Sequence, residues 1–303
     1  MNISEAEQNV RRYYGKKNPT SDDSFVFVES LEFLIEKTQD PKYMMSLGGY
    51  YYEAKKFDLA LKYYETAAEY KSIDAYECLG YIWYYGRTGT KDYEKAFKYF
   101  SLASDAGEIV ASYKIADMYK NGYYVTKDYE KYKSIIEELY PKVKHAKYVG
   151  EPLPEIFTRL ARIRKEEGKV NDAIDLYSVA KDFLAQRIKF NAFFGDLNIM
   201  KWLIDDLYTM KEFKETYMNL YDLYYLLNSP NKVSFRYNKQ KYEVRSEEDE
   251  EGLAVEFNGK WFRSRDDFFA KASIDGKRLT SIYEELYGFK VEYGHIKIYC
   301  RKL

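Results

Sequence analysis

The sequence predicts a mainly α protein: an α-α superhelical solenoid of helix hairpins, followed by a small α+β C-terminal domain. Three observations carry this. The segment 75–107 recurs 36 residues later as 111–139. Within each copy, apolar residues fall at spacings of three and four around a small residue, as in Tyr76, Leu79, Gly80 and Trp83, and then Ala96, Phe100 and Ala103. After the turn-rich Asn228-Ser229-Pro230-Asn231 the period changes to two, the signature of strands.

Taken in order, residues 3–14 and 24–38 suggest a hairpin outside the repeat register, so 1–40 is expected to be a helical cap, as the terminal units of a repeat stack commonly are. The array then spans 41–230. Leu47-Gly48-Gly49-Tyr50-Tyr51 opens a unit that continues through Phe57, Ala60, Tyr64 and Ala67 with a shorter loop. In the next two units Leu79-Gly80 aligns with Ile115-Ala116, Gly86 with Gly122, and the run Lys91–Lys95 with Lys127–Lys131 without a gap. Tyr132 replaces the second-helix alanine of the third unit and Ser112 replaces a ring, so its packing is expected to differ. The stretch 140–155 carries three prolines and reads as a loop that bends or breaks the array. Phe157, Leu160-Ala161, Gly168, Ala173, Tyr177 and Ala180 restart it, and a divergent copy keeps apolar residues at Met200, Leu203, Ile204 and Leu207, then Phe213, Thr216, Leu220 and Leu223. One hairpin cannot bury its apolar face alone, so the copies must stack.

The long-loop units resemble Sel1-like repeats, whose pattern stands here as Ala75, Leu79-Gly80, Tyr84 or Tyr85, Gly86, Asp92, Lys95-Ala96, Tyr99, Ala103 and Ala106-Gly107. The short-loop units resemble the related tetratricopeptide repeats. The resemblance covers about 41–140 well and 155–225 loosely, and it implies a protein-binding scaffold. It also implies that the first helix of each hairpin lines a concave face. The groove positions would then be Met45, Gly49 and Tyr52; Glu77, Tyr81, Tyr84 and Tyr85; Tyr113, Asp117, Lys120 and Asn121; and Thr158, Arg162 and Lys165. Of these, Tyr52, Glu77, Tyr81, Tyr84, Tyr85, Tyr113, Lys120 and Arg162 are the candidate partner-binding residues. Tyrosine is abundant, 35 of 303 residues, and suits contact faces because a large ring carries a polar tip. Most single rings are expected to fill seams between helices. Tyr81, Tyr84 and Tyr85 cannot all point to the core from one helix.

Residues 231–303 are expected to form the small α+β domain. Val233–Tyr237 and Gln240–Arg245 read as a hairpin, and SEEDEEG (246–252), with five acids in a row, as a solvated loop without the alternating spacing of a calcium site. Leu253–Phe257 and Lys260–Arg263, joined by Asn258-Gly259, form the strongest hairpin signal. A helix capped by Asp266 or Asp267 is expected through Phe269, a second from Asp275-Gly276 to Leu286, and a last strand pair over Phe289–Tyr293 and His295–Cys300.

Composition excludes several classes. Forty-six per cent hydrophobic residues and six prolines argue against a disordered chain, and 32% charged residues with no long apolar run argue against a membrane span. Lysine and arginine (48) balance aspartate and glutamate (49), so there is no electrostatic footprint for nucleic acid or anionic lipid. The charged N-terminus lacks the apolar stretch of a signal peptide, which makes a cytoplasmic location the expectation. Cys78 and Cys300 give neither a disulfide framework nor metal-ligand spacing, and His145 and His295 stand apart from any nucleophile pattern. No phosphate-loop, dinucleotide or hydrolase motif is present. The expectation is therefore a non-catalytic scaffold with no cofactor and no metal, taking a protein or peptide partner and neither nucleic acid nor membrane. The alternatives are an enzyme or regulatory effector with its activity in the C-terminal domain, around His295, the acidic run or Cys300, and, third, self-assembly.

Overall fold

The computed structural model describes residues 1–146, 150–191, 195–208, 210, 220–227, 230–249 and 252–293. Its contacts divide the chain into two compact units, Met1–Leu139 and Tyr140–Leu303. The division falls beside the proline-bearing insert.

The first unit begins with α1 (Ile3–Tyr14) and α2 (Ser21–Thr38), each started by a reciprocal capping box, Asn2 with Glu5 and Thr20 with Asp23. They enclose Phe27, Leu31 and Leu34 and close over Tyr43 and Leu47. Five helices of 13 residues follow: α3 (Pro41–Glu53), α4 (Phe57–Glu69), α5 (Ile73–Tyr85), α6 (Tyr93–Asp105) and α7 (Ile109–Asn121). Side chains fix three of the starts: Asp40, Ser72 and Asp92 accept from backbone N–H groups in the first turn. Glycines in the left-handed region, Gly86 (φ 64°) and Gly122 (φ 74°), stop α5 and α7.

The 36-residue repeat has a hydrogen-bonded basis. The Asp92 N–H donates to the Trp83 carbonyl (3.1 Å) and, one repeat on, the Asp128 N–H to Tyr119 (2.9 Å). Arg87 N–H to Ile82 O and Tyr123 N–H to Met118 O are likewise equivalent, each 3.0 Å. Helix pairs approach where the repeat places a small residue. A Cβ on Gly48 would meet the Tyr64 ring at 2.5 Å, and one on Gly80 the Phe100 ring at 2.5 Å. In the third unit Ala116 and Ile136 hold the register positions of Gly80 and Phe100, and both are buried. The expected difference in packing there appears as Tyr132, 1% exposed where its counterpart is Ala96, and as a Ser104–Ser112 hydroxyl contact of 2.8 Å.

Helix α8 (Tyr129–Val143) runs through Pro141, so the first residues of the expected 140–155 loop are helical. In the second unit, α9 (Leu153–Glu166) and the 22-residue α10 (Val170–Asn191) form a hairpin, followed by α11 (Asp196–Tyr208) and the short α12 (Leu220–Leu226). Phe213 and Thr216 lie outside the described residues.

The strands are β1 (Asn231–Tyr237), β2 (Gln240–Asp249), β3 (Gly252–Phe257), β4 (Lys260–Phe262), the short β5 (Ser273–Ile274) and β6 (Lys277–Arg278), and β7 (Tyr287–Tyr293). They make an antiparallel five-stranded sheet of order β4-β3-β2-β1-β7 and a separate β5-β6 ribbon. Asn258-Gly259 turns β3 into β4 with two positive φ values, as that pair predicts. One face of the sheet buries Val233, Phe235, Val255 and Phe257, with Phe257 packed on Phe268 of α13 (Arg265–Lys271) and Phe289 on Tyr283.

Three expectations are corrected. Ser246–Asp249 are strand, paired with Gly252–Val255, because β2 continues into the acidic run. The cap of α13 is Ser264, whose hydroxyl accepts from the Asp267 N–H, and not Asp266 or Asp267. The helix expected over 275–286 is the β5-β6 turn at Asp275-Gly276, both at positive φ, followed by 3-10 turns at Leu279–Ser281 and Tyr283–Glu285. Asp-Gly is a hairpin signal before it is a helix start. His295 and Cys300, with the last expected strand, lie outside the described residues.

Candidate functional site: a ring-lined face on the repeat helices

Helix α5 buries Ala75, Leu79, Gly80 and Ile82. Once those positions are spent on the core, helical spacing puts Glu77, Tyr81, Tyr84 and Tyr85 beside them, on the side that meets α7. Tyr81 and Tyr85, one turn apart, stack with ring centroids 5.9 Å apart and planes 5° from parallel. Tyr84 meets Tyr85 edge-on at 5.0 Å and leads to the stacked pair Tyr93–Tyr123 at 4.4 Å.

A lysine organises this cluster. Lys114 of α7 is 8% exposed. Its ammonium lies 5.1 Å from the Tyr81 ring centre, 5.4 Å from Tyr84, 5.2 Å from Tyr85 and 5.5 Å from Tyr113, and it donates to the Tyr85 hydroxyl at 3.0 Å. No carboxylate lies at ion-pair distance from it among the described residues. The negative faces of the rings therefore supply most of the compensation for burying the charge, an interaction of about 2 kcal/mol when desolvated.

A second cation extends the arrangement. The turn at Gly86 brings Arg87 back toward α3, where Nε donates to the Tyr52 hydroxyl at 3.0 Å. Its guanidinium stands 5.2 Å from the Tyr85 ring, 5.8 Å from Tyr52 and 5.9 Å from Phe57. Tyr52 on α3 is thereby joined to Tyr85 and, through Lys114, to α7.

Burial governs the acid–base behaviour of the face. Desolvation pushes the Glu77 carboxyl up to about 7, with Glu108 and Asp74 adding and Lys114 opposing. Burial also holds the Tyr81 and Tyr84 phenols well above their usual value. The half-buried Cys78 thiol is pushed up to about 12 by the same effect, which makes it a poor nucleophile at neutral pH.

Of the sequence-predicted residues, Tyr52, Tyr81, Tyr84, Tyr85 and Tyr113 gather around the two cations, with Glu77 one turn before Tyr81. Tyr113 is 6% exposed, so it supports Lys114 from within rather than lining the surface. Lys120 lies at the far end of α7, its ammonium 4.9 Å from the Tyr132 ring. Arg162 belongs to the second unit, where its Nε donates to Asp206 at 2.7 Å. Thr158 is buried.

Lys114, Arg87 and Phe57 were not expected. Lys114 occupies the repeat position of Cys78, on the core side of the helix. A lysine where the preceding unit has a small thiol was the available signal. His145 is exposed. Among the described residues no group of histidine, cysteine, aspartate and glutamate is placed to hold a metal, and no helix is long and apolar enough to cross a membrane.

No family profile and no curated protein matches the chain. Solved structures do. A Sel1 repeat protein from Oxalobacter formigenes superposes at TM-score 0.53 with 19% identity, over 74% of this chain and 84% of that one. A protective antigen of uropathogenic Escherichia coli displaying an SLR fold gives 0.49 and 19%, over 69% of this chain; this chain spans 42% of its length. Yeast Tom70 gives 0.33 and 14%, over 69% and 53%. The chain has a Sel1-like helical-repeat fold.

Proposed function

We propose that the protein is a non-catalytic interaction scaffold that binds a peptide or protein segment on the face formed by α3, α5 and α7. The observation that supports this most is the Tyr81–Tyr84–Tyr85 cluster ordered around Lys114. Ring positions fixed in advance by a buried cation lose little entropy on binding, and tyrosine provides both contact area and a hydroxyl. Tyr85 is 36% exposed and Tyr81 and Tyr84 are half-buried, so a ligand can cover ring surface without unpacking the helix. Arg87 and Tyr52 lengthen the face to three helices, enough for an extended segment to be read at several side chains.

The test pans the immobilised full chain against a random dodecapeptide library. The expected result is an enriched consensus that Tyr85→Ala weakens by about tenfold, with the Tyr81→Ala, Tyr84→Ala and Tyr85→Ala triple variant losing it altogether. A consensus captured equally well by the folded triple variant would place binding elsewhere and remove the assignment.

A further inference from the structure

The second unit carries a feature that the ring-lined face does not explain. Between the end of α8, α9 and α10 lies a cleft of about 320 Å³, at the small end of ligand-sized clefts. Its walls are Tyr140, Phe157, Leu176 and Val179. Tyr140 and Phe157 pack with ring centres 5.2 Å apart and close one side. Val179 is 48% exposed, an aliphatic side chain left uncovered on the outward face of α10.

Charge at the rim is one-sided. Asp172 and Asp175 both line the cleft, both are exposed, and neither has a hydrogen-bond or ion-pair partner among the described residues. Asp172, Asp175, Leu176 and Val179 share one face of α10 by their spacing of three and four. The rim's one basic side chain, Arg164, is engaged: its guanidinium contacts Glu167 at 3.0 Å. Nearby carboxylates behave differently, since Glu155, Asp196, Asp206 and Asp222 all meet lysine or arginine.

We propose that this cleft is a second docking site, for a peptide segment in which an aliphatic side chain is followed by lysine or arginine. The aliphatic group fills the space beside Phe157 and Val179, and the cation reaches the two aspartates one turn away. A basic residue alone would leave the apolar wall wet, and an apolar residue alone would leave both carboxylates without partners. An acidic segment is repelled.

The test measures fluorescence anisotropy of a labelled Gly-Ser-Leu-Lys-Lys-Ser-Gly peptide with the full chain, beside versions carrying glutamate for both lysines or serine for leucine. Saturable binding is expected for the first peptide alone. The Asp172→Asn/Asp175→Asn and Val179→Ser variants should each weaken it by about tenfold, and Tyr85→Ala should leave it unchanged. Because the altered side chains are exposed, thermal melting should match the unaltered protein. No saturable binding, equal binding of the glutamate peptide, retention by the variants, or loss with Tyr85→Ala would each overturn the proposal.

Discussion

The most buried of the described cations, Lys114 in one unit and Lys181 and Arg187 in the other, are neutralised in opposite ways. In Met1–Leu139, Lys114 stands over four tyrosine rings and Arg87 over three aromatic ones, while ion pairs such as Lys16–Asp23 and Lys95–Asp92 join neighbours in sequence. In Tyr140–Leu303, Lys181 meets Asp222 at 3.0 Å, Arg187 meets both Glu155 and Asp196 at 2.6 Å, and Arg162 meets Asp206 at 2.7 Å, each pair linking separate helices. A buried carboxylate paired with a cation from another helix fastens the two helices together. A tyrosine that shares its ring and accepts from a cation, as Tyr85 does from Lys114, still has an O–H to donate and, where it is exposed, ring edge for a third group. Helix hairpins can thus be closed as a fastener in one place and left ready for contact in another, according to whether the seam carries carboxylates or rings.

The sharpest way to break this comparison is one substitution made twice. Lys114 and Lys181 are 8% and 5% exposed. Lys181→Met takes the ammonium away from the buried Asp222 carboxylate and should cost about 3–5 kcal/mol in urea unfolding. Lys114→Met removes a desolvated charge with no carboxylate at ion-pair distance among the described residues, and should cost about 1 kcal/mol or less, since lost cation–π contact is offset by relief of desolvation. Equal losses would mean that rings and carboxylates hold the buried charge alike. In the same class as Lys181→Met, Asp196→Asn should lower stability by about 3–5 kcal/mol, because it removes one of the two carboxylates paired with Arg187, 2% exposed.

Gly80→Ala probes the repeat geometry that positions the rings. A methyl group would sit 2.5 Å from the Phe100 ring, so a loss of about 1–3 kcal/mol is expected in denaturant unfolding. Gly89→Ala, with open space around it but φ 102°, should lose less, by about 1 kcal/mol.

A pH titration refines the ring side of the comparison. The Glu77 carboxyl is raised in the folded protein from 4.5 to about 7. Its protonated form is the one folding favours, so that contribution is whole below pH 4.5 and is lost as pH rises through about 7. Glu77→Gln should match the unaltered protein in acid and exceed it by about 2 kcal/mol above that range. A difference that does not depend on pH would remove Glu77 from the buried side of the face.

Much of the array was legible in the sequence because the 36-residue register fixes helix, turn and cap together. Gly86 and Gly122 stop helices by the same hydrogen bonds, and Gly80 requires a ring opposite. The ring cluster was legible for a similar reason: a single helix cannot bury Tyr81, Tyr84 and Tyr85 together. Its organising lysine was not, since no local pattern marks which lysine of the next helix leaves water for a set of rings. In the C-terminal domain, Asn258-Gly259 was decisive because two left-handed residues in succession permit little else. Asp275-Gly276 carries the same chemistry, but an apolar helical spacing downstream outweighed it. The acidic run was misjudged because solvation of its side chains says nothing of its backbone, which pairs with β3.

The most direct test of the central claim is the affinity of the panned dodecapeptide for the unaltered protein and for Tyr85→Ala, measured by titration calorimetry beside an unfolding curve of each. Tyr85→Ala is expected to weaken binding by about tenfold in a protein that still unfolds cooperatively, with a loss of about 1–2 kcal/mol from removing the hydroxyl that accepts from Lys114. Unchanged affinity in the folded variant would contradict the assignment of the α3, α5 and α7 face as the binding surface.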